Sequence, residues 1–482
     1  MAAELHSELA IRQVPRDIRG LSNTNTNPDE RRHKHSRSSY SDISPLMSRN
    51  NSLNFRPAKR SMPSPDKTIA VINASGRQAA SFIRVATAVG YHVRAQLRNL
   101  EGVVATEVAR NPNVTILRGE LYTKERPAET AQVDVTRNGP ISGIGVNHAL
   151  ISELFKGAQL AFINTTFYGD EQHIGEALAD AAKKAGIQHY VYSSMPDHHA
   201  YNKAWPSLPL WASKHKVEEY VKKIGLPATF VYTGIYNNNF TSLPYPLFCT
   251  ELQEDGSWIW KAPFHPDVKL PWLDAEHDVG PAILQIFKDG VRKWGAGKRV
   301  GLAYEMLSPK EACEVFSRGV GRPVRYIHGP IELKVTIPEG YRAQLEALEA
   351  LFGMGHDDPT KQPPYFGDAA LEESCPRVAL ELWEGPRGLE EYAREVFPLE
   401  EQANGLTWML DEGDGGGGNQ AHRNGNGNGV PTTGHAPHPH HIQHLNGYIT
   451  TLEQVSLDSE GEDEDDGLVM RGLKRDDEEW LA

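Results

Sequence analysis

Through the middle of this chain, apolar residues come in short unbroken runs. Each run gives way to a stretch in which they recur every three or four positions. Residues 68–72 form the first run, and Ala79, Phe82, Ile83, Ala86 and Val89 then fall on one helical face, with Gly90 where a C-terminal cap belongs. The same alternation predicts strands over 92–97, 114–117, 160–165, 189–193 and 228–232, with helices over 104–109, 149–155, 175–185 and 217–224. Strands that are apolar throughout are buried on both faces, and strands that alternate with helices pair in parallel. The pattern therefore predicts an α/β fold, a Rossmann doubly wound parallel sheet occupying 66–240.

The order breaks twice. Residues 120–147 should be a short connection, yet they carry Pro, Gly and charge without any period, which marks an insertion. Beyond 240 the chain turns irregular and aromatic (Phe240, Tyr245, Phe248, Trp258, Trp260, Phe264, Trp272), with a helix expected over 278–287 and a strand–helix–strand over 300–304, 309–318 and 324–327. Residues 241–398 are expected as a smaller, mostly helical C-terminal subdomain folded onto the open end of the sheet.

The two ends show no period. Residues 1–65 are rich in Ser, Asn and Arg, with Ser-Pro pairs at Ser44 and Ser64, and 399–482 hold a Gly run, an Asn-Gly repeat, a His/Pro tract and an acidic stretch. Mean hydropathy is −0.50, and the polar excess lies in these arms, which read as disordered. The net charge of −13 is uneven: 31–37 is a basic run and 460–466 an acidic one. One basic run without aromatic interleaving or a folded motif predicts no sequence-specific DNA binding. Cys249, Cys313 and Cys375 lack paired spacing, so neither a disulfide framework nor a zinc site is expected. No apolar run approaches the roughly 18 residues of a membrane span, so a soluble intracellular protein is expected.

The chemistry gathers at the end of the first strand. A pyrophosphate needs backbone N–H donors at a helix N-terminus and no Cβ where the chain passes closest. In Asn73-Ala74-Ser75-Gly76-Arg77-Gln78-Ala79, Gly76 supplies that room, while Asn73 and Ala79 stand where the usual motif has glycines. Asn tolerates a left-handed backbone, and Ala still permits close helix–strand packing. After the second strand, Arg98 stands where an acidic residue would hold the adenosine ribose, which leaves NAD and NADP both open. Asn164, Thr165 and Thr166 end a further strand on the same edge of the sheet.

A short-chain reductase sets a Tyr one helical turn before a Lys, so that the ammonium acidifies the phenol. In Leu210-Trp211-Ala212-Ser213-Lys214 the first place is apolar, and neither Tyr201 nor Tyr220 has the spacing to replace it. Lys214 can still donate to a ribose hydroxyl, so binding without chemistry is expected and no catalytic residue is assigned. The alternative is an NADP-dependent reductase with a substitute proton donor, from His198, His199 or Tyr236.

The strings Ile72-Asn73-Ala74-Ser75-Gly76-Arg77-Gln78-Ala79, Ala161-Phe162-Ile163-Asn164-Thr165-Thr166, Tyr192-Ser193-Ser194-Met195-Pro196-Asp197, Tyr236-Asn237-Asn238-Asn239-Phe240 and Leu270-Pro271-Trp272-Leu273-Asp274 resemble the NmrA-like family of atypical short-chain dehydrogenase/reductase folds. The resemblance spans about 66–355. It implies a transcriptional regulator of nitrogen metabolism that binds NAD or NADP, preferring the oxidised forms. It also implies repression through a GATA-type zinc-finger activator, in the nucleus, the cytoplasm or both. The dinucleotide contacts it implies are Asn73, Ser75, Gly76, Arg77, Gln78, Arg98, Asn164, Thr165, Lys214 and the loop Tyr236, Asn237, Asn238, Asn239, Phe240 and Thr241. Ala74, Asn99, Gly119, Glu120 and Ile163 complete the expected site, and no metal is expected. The insertion and the arms are additions to the family pattern.

Overall fold

The computed structural model describes residues 67–123, 145–167, 170–244, 246–337 and 339–406. The expected arm 1–65, residues 407–482 of the expected arm 399–482, and most of the insertion lie outside the described residues.

Seven strands form one sheet: β1 (Thr68–Val71), β2 (His92–Leu97), β3 (Val114–Arg118), β4 (Leu160–Ile163), β5 (His189–Ser194), β6 (Ala228–Thr233) and β7 (Ala296–Leu302). Their order across the sheet is β7-β6-β5-β4-β1-β2-β3, and every pairing is parallel. The order reverses between β1 and β4, which opens a crevice at their C-terminal ends, where such sheets bind ligands. Ile69 and Val71 pack into one apolar cluster and Ala70 and Ile72 into another, because successive strand residues point to opposite faces. Both faces are covered at the middle of the sheet, so the central strands β1 and β4 read as continuous apolar runs, whereas β2 and β3 towards the edge interleave polar residues.

The helices are α1 (Arg77–Ala88), α2 (Val103–Arg110), α3 (His148–Leu154), α4 (Glu171–Ala185), α5 (Pro209–Lys223), α6 (Ala275–Asp289), α7 (Pro309–Val320), α8 (Glu339–Phe352), α9 (Leu389–Glu395) and α10 (Phe397–Ala403), with shorter turns between. Asp170 caps α4 by accepting from His173 N, and Gly186 ends it in the left-handed conformation (φ 74°). Ser308 and Glu311 close a reciprocal capping box at the start of α7.

Three boundaries differ from the pattern-based expectation. First, the sheet does not end at residue 240: β7 closes one edge, and α6 packs on α1. That contact is invisible to local pattern because it joins segments far apart in sequence. Second, besides the strands expected over 300–304 and 324–327, the segment after 240 holds further ones, so it is less helical than expected. Thr250–Leu252, Trp258–Ala262 and Val324–His328 form one small sheet, and Ile235–Tyr236, Leu270–Leu273 and Glu305–Leu307 form another. Third, α10 continues past residue 398, where the tail was expected to begin. At the insertion, Tyr122–Thr123 pairs antiparallel with Gly145–Val146, so its two ends meet.

An aromatic core joins these parts. Phe240 stacks on Trp272 (5.6 Å) and Phe316 (4.8 Å), and Phe397 of α10 meets Trp258 at 5.5 Å. Among the described residues no helix is long and apolar enough to cross a membrane.

Candidate functional site

The site begins where β1 runs into α1. Asn73 is the one non-glycine with positive φ among the described residues (48°), a conformation Asn tolerates because its short polar side chain bonds locally. Its Nδ2 donates to Asn164 O (2.8 Å), which ties the end of β1 to the end of β4. Its backbone N donates to Gln96 Oε1 (3.0 Å), and Gln96 Nε2 donates onward to Gly119 O (2.7 Å). One fully buried amide therefore ties the exits of β1, β2 and β3 together. Gln96 was not among the expected site residues: β2 alternates polar and apolar (His92, Arg94, Gln96), and only its complete burial sets Gln96 apart.

Gly76 precedes α1 without a side-chain cap, and the first turn carries no acidic residue. The N–H groups of that turn are left for an anion. The Arg77 guanidinium turns to two carboxylates, 2.7 Å from Glu276 and 3.5 Å from Glu400. It thus ties the turn to the helices α6 and α10.

Four polar atoms of the expected site residues, Gln78 Oε1, Asn164 Oδ1, Asn237 Oδ1 and Asn239 Oδ1, are buried without a hydrogen-bond partner. Each costs on the order of 1–3 kcal/mol if left so. A polar ligand with hydroxyl and amide donors along this edge relieves that cost, so the residues present fit a dinucleotide.

Deeper in the crevice, Lys214 is 3% exposed. Its Nζ donates to Thr165 O and lies 3.0 Å from Glu171 Oε1. Glu171 also accepts from Thr165 Oγ1 (2.8 Å) and from Ser213 Oγ, and Thr165 Oγ1 lies 2.8 Å from Tyr192 OH. One turn earlier on α5, Leu210 faces a cavity of about 70 Å³ shared with Met195, Trp211, Tyr236 and Asn239. The ammonium is thus paired with a carboxylate, and the residue four positions before it on α5 is the apolar Leu210.

A model of the NmrA-like family matches residues 65–393. The chain belongs to the NmrA-like family. It is 75% identical, over the full length of both chains, to the nitrogen metabolite repression protein nmr of Neurospora crassa. It is also similar to crystal structures of NmrA, a negative transcriptional regulator. With the complex with NAD it shares 55% identity at a TM-score of 0.63, covering 71% of this chain and 99% of that one. With the complex with NADP the values are 54%, 0.62, 71% and 99%.

In this NmrA-like chain the expected site residues divide. Asn73, Ala74, Ser75, Gly76, Gln78, Asn164, Thr165 and Lys214 gather at the crevice, and Gln78 Nε2 donates to Tyr236 OH to bring the last loop in. Ile163 is buried at the end of β4. Arg98 and Asn99 follow β2 half-exposed; Glu101 N donates to Asn99 Oδ1 (3.1 Å). Gly119 gives its N–H to Leu97 O (2.9 Å), and Glu120 O accepts from Asn147 Nδ2 (3.0 Å) at the root of the insertion. Asn238 Oδ1 accepts from Ala275 N (2.9 Å) at the start of α6, a structural bond. Phe240 sits in the aromatic core, and Thr241 Oγ1 donates to the fully buried Glu401 (2.9 Å). Phe240 thus turns to the aromatic core and Thr241 to α10.

The substitute proton donors find little support. His198 is fully buried, its ring 5.8 Å from Trp211 and its Nε2 bonded to Pro364 O, and burial lowers its pKa to about 4. Its imidazole is therefore neutral at pH 7. His199 lies exposed with Nδ1 3.2 Å from Trp205 O. Tyr236 OH accepts from Gln78, and Lys214 lies against Glu171 instead. The described residues include one set with metal-ligand spacing, His215, Glu218 and Glu219. There Arg299 Nε and Lys222 Nζ already hold Glu218, each at 2.6 Å.

Proposed function

We propose that this chain is a non-catalytic NAD(P)-binding negative regulator of transcription in nitrogen metabolite repression, acting by binding a GATA-type zinc-finger activator in the nucleus, the cytoplasm or both. The observation that carries the non-catalytic part is the Leu210–Lys214–Glu171 arrangement. Hydride transfer to a carbonyl needs a proton donor poised at the substrate, and a lysine helps only while its charge acts on that donor. Here the donor position is apolar and the lysine charge is met by Glu171. The dinucleotide would be held by the α1 N-terminus, the amides of Gln78, Asn164 and Asn239, and one remaining hydrogen of the Lys214 ammonium. The regulatory part is supported by the names of the 75%-identical Neurospora relative and of the NmrA structures, the zinc-finger partner by the family resemblance.

Calorimetry with NAD⁺, NADH, NADP⁺ and NADPH should give tighter binding of the oxidised forms. With carbonyl and enone substrates the purified chain should oxidise NADPH no faster than buffer; turnover above background would overturn the non-catalytic reading. A tagged zinc-finger fragment should retain the full chain at moderate salt. Absence of retention would remove the partner assignment and leave the dinucleotide assignment standing.

A further inference from the structure

An ammonium buried without a partner is costly, and an enzyme accepts that cost because the charge works on a neighbouring phenol. In this chain the phenol is absent and the charge has been given a dedicated carboxylate. Glu171 is buried, opens α4, and accepts bonds from Thr165 Oγ1 and Ser213 Oγ while it lies 3.0 Å from Lys214 Nζ. Ser213 Oγ also lies 2.8 Å from Leu210 O, so its single hydrogen is shared between that carbonyl and the carboxylate on the turn of α5 that carries both Leu210 and Lys214. Asp170 caps α4, and the helix N-terminus stabilises the negative charge beside it.

Lys214 has three N–H donors. Thr165 O and Glu171 Oε1 take two of them. The third can serve a ribose hydroxyl with the net charge of the pair near zero. This matters because the two oxidation states of a nicotinamide differ by one elementary charge: the oxidised ring is a cation, the reduced ring is neutral. An unpaired ammonium beside that ring repels only the oxidised form. We propose that Glu171 is the residue that sets the oxidation-state preference of this site, by cancelling the Lys214 charge so that a cationic ring is accepted. The proposal rests on the reading that this edge binds NAD(P).

The test is calorimetry on the full chain with NAD⁺ and NADH for the wild type, Glu171→Gln, Lys214→Met and the double variant, each checked for cooperative melting. Glu171→Gln keeps the side-chain shape and leaves the ammonium uncompensated. The ratio Kd(NADH)/Kd(NAD⁺) should fall by about tenfold or more, as one unit charge acting inside a protein site requires, with NADH affinity largely retained. Lys214→Met leaves the carboxylate unpaired and should raise the ratio. The double variant should return it towards the wild-type value.

An unchanged ratio in Glu171→Gln, or equal weakening of both forms, would overturn the proposal and make Glu171 a structural partner only. If Glu171→Gln binds neither form, Lys214→Met decides, and a ratio equal to wild type there overturns it. Failure of the underlying reading looks different: the wild type itself would bind neither dinucleotide.

Discussion

His198 and Glu372 hold the same short segment and titrate in opposite senses. His198 Nε2 bonds to Pro364 O (2.9 Å), and Glu372 Oε2 accepts from Phe366 N (3.2 Å). Burial lowers His198 to about 4 and raises Glu372 to about 7. The histidine's contribution is fully present above its unfolded value of about 6.5 and is lost as pH falls through about 4. The carboxyl's contribution is fully present below about 4.5 and is lost as pH rises through about 7. Between these limits the two slopes oppose each other. The same opposition recurs between His189, lowered to about 4, and Asp274, raised to about 6, both by burial. Glu372→Gln should therefore lose stability more steeply than wild type on acidification from pH 6.5 to 4.5, by up to about 1.4 kcal/mol per pH unit. Denaturant midpoints at pH 5 and pH 7 check this, and parallel profiles for the two proteins would refute it. At this scale the sequence was legible where the spacing is local, since Leu210 and Lys214 do share one turn of α5. It was opaque where a partner comes from elsewhere: Arg77 meets Glu276 and Glu400, and nothing near residue 77 announces them.

Helices α1 and α6 touch backbone to backbone. A Cβ at Gly280 would lie 2.4 Å from Ser81 O, and Gly280 N donates to Ser81 Oγ at 3.0 Å. Gly280→Ala should push the helices apart and cost about 2 kcal/mol or more. Because α1 opens with the turn that carries Gln78, the same variant should also weaken NAD⁺ binding. Thermal melting and calorimetry together check it; wild-type values in both would show that the helices can give way. The βα units were legible because helical and strand periods each repeat over one local segment. The strand Trp258–Ala262 was hidden by its aromatic content, although Trp258, Trp260 and Ala262 are buried while Ile259 and Lys261 are half-buried. That period of two was the available signal. The short helices after 352 are held by packing rather than by their own pattern, which is why no period marks them.

The molecule as a whole is closed by its C-terminal helices. Glu400 reaches Arg77 at the dinucleotide turn, Glu401 accepts from Thr241 Oγ1 and Ser242 N (3.1 Å), and Phe397 packs on Phe316 (4.9 Å). A chain ending after Glu395 should melt at lower temperature and bind NAD⁺ more weakly than wild type. A chain ending after Leu406 should match wild type in both. Equal behaviour of the two truncations would show that α10 has no part in the site. Two neighbouring carboxylates of α10 thus serve two different parts of the molecule, Glu400 the turn at Arg77 and Glu401 the loop at Thr241, and Leu406 N closes the helix end on Glu401 O (2.9 Å). Any displacement of Glu401 from Thr241 therefore also draws Glu400 away from the guanidinium at the turn, so that the loop after Tyr236 and the start of α1 are read by one and the same helix.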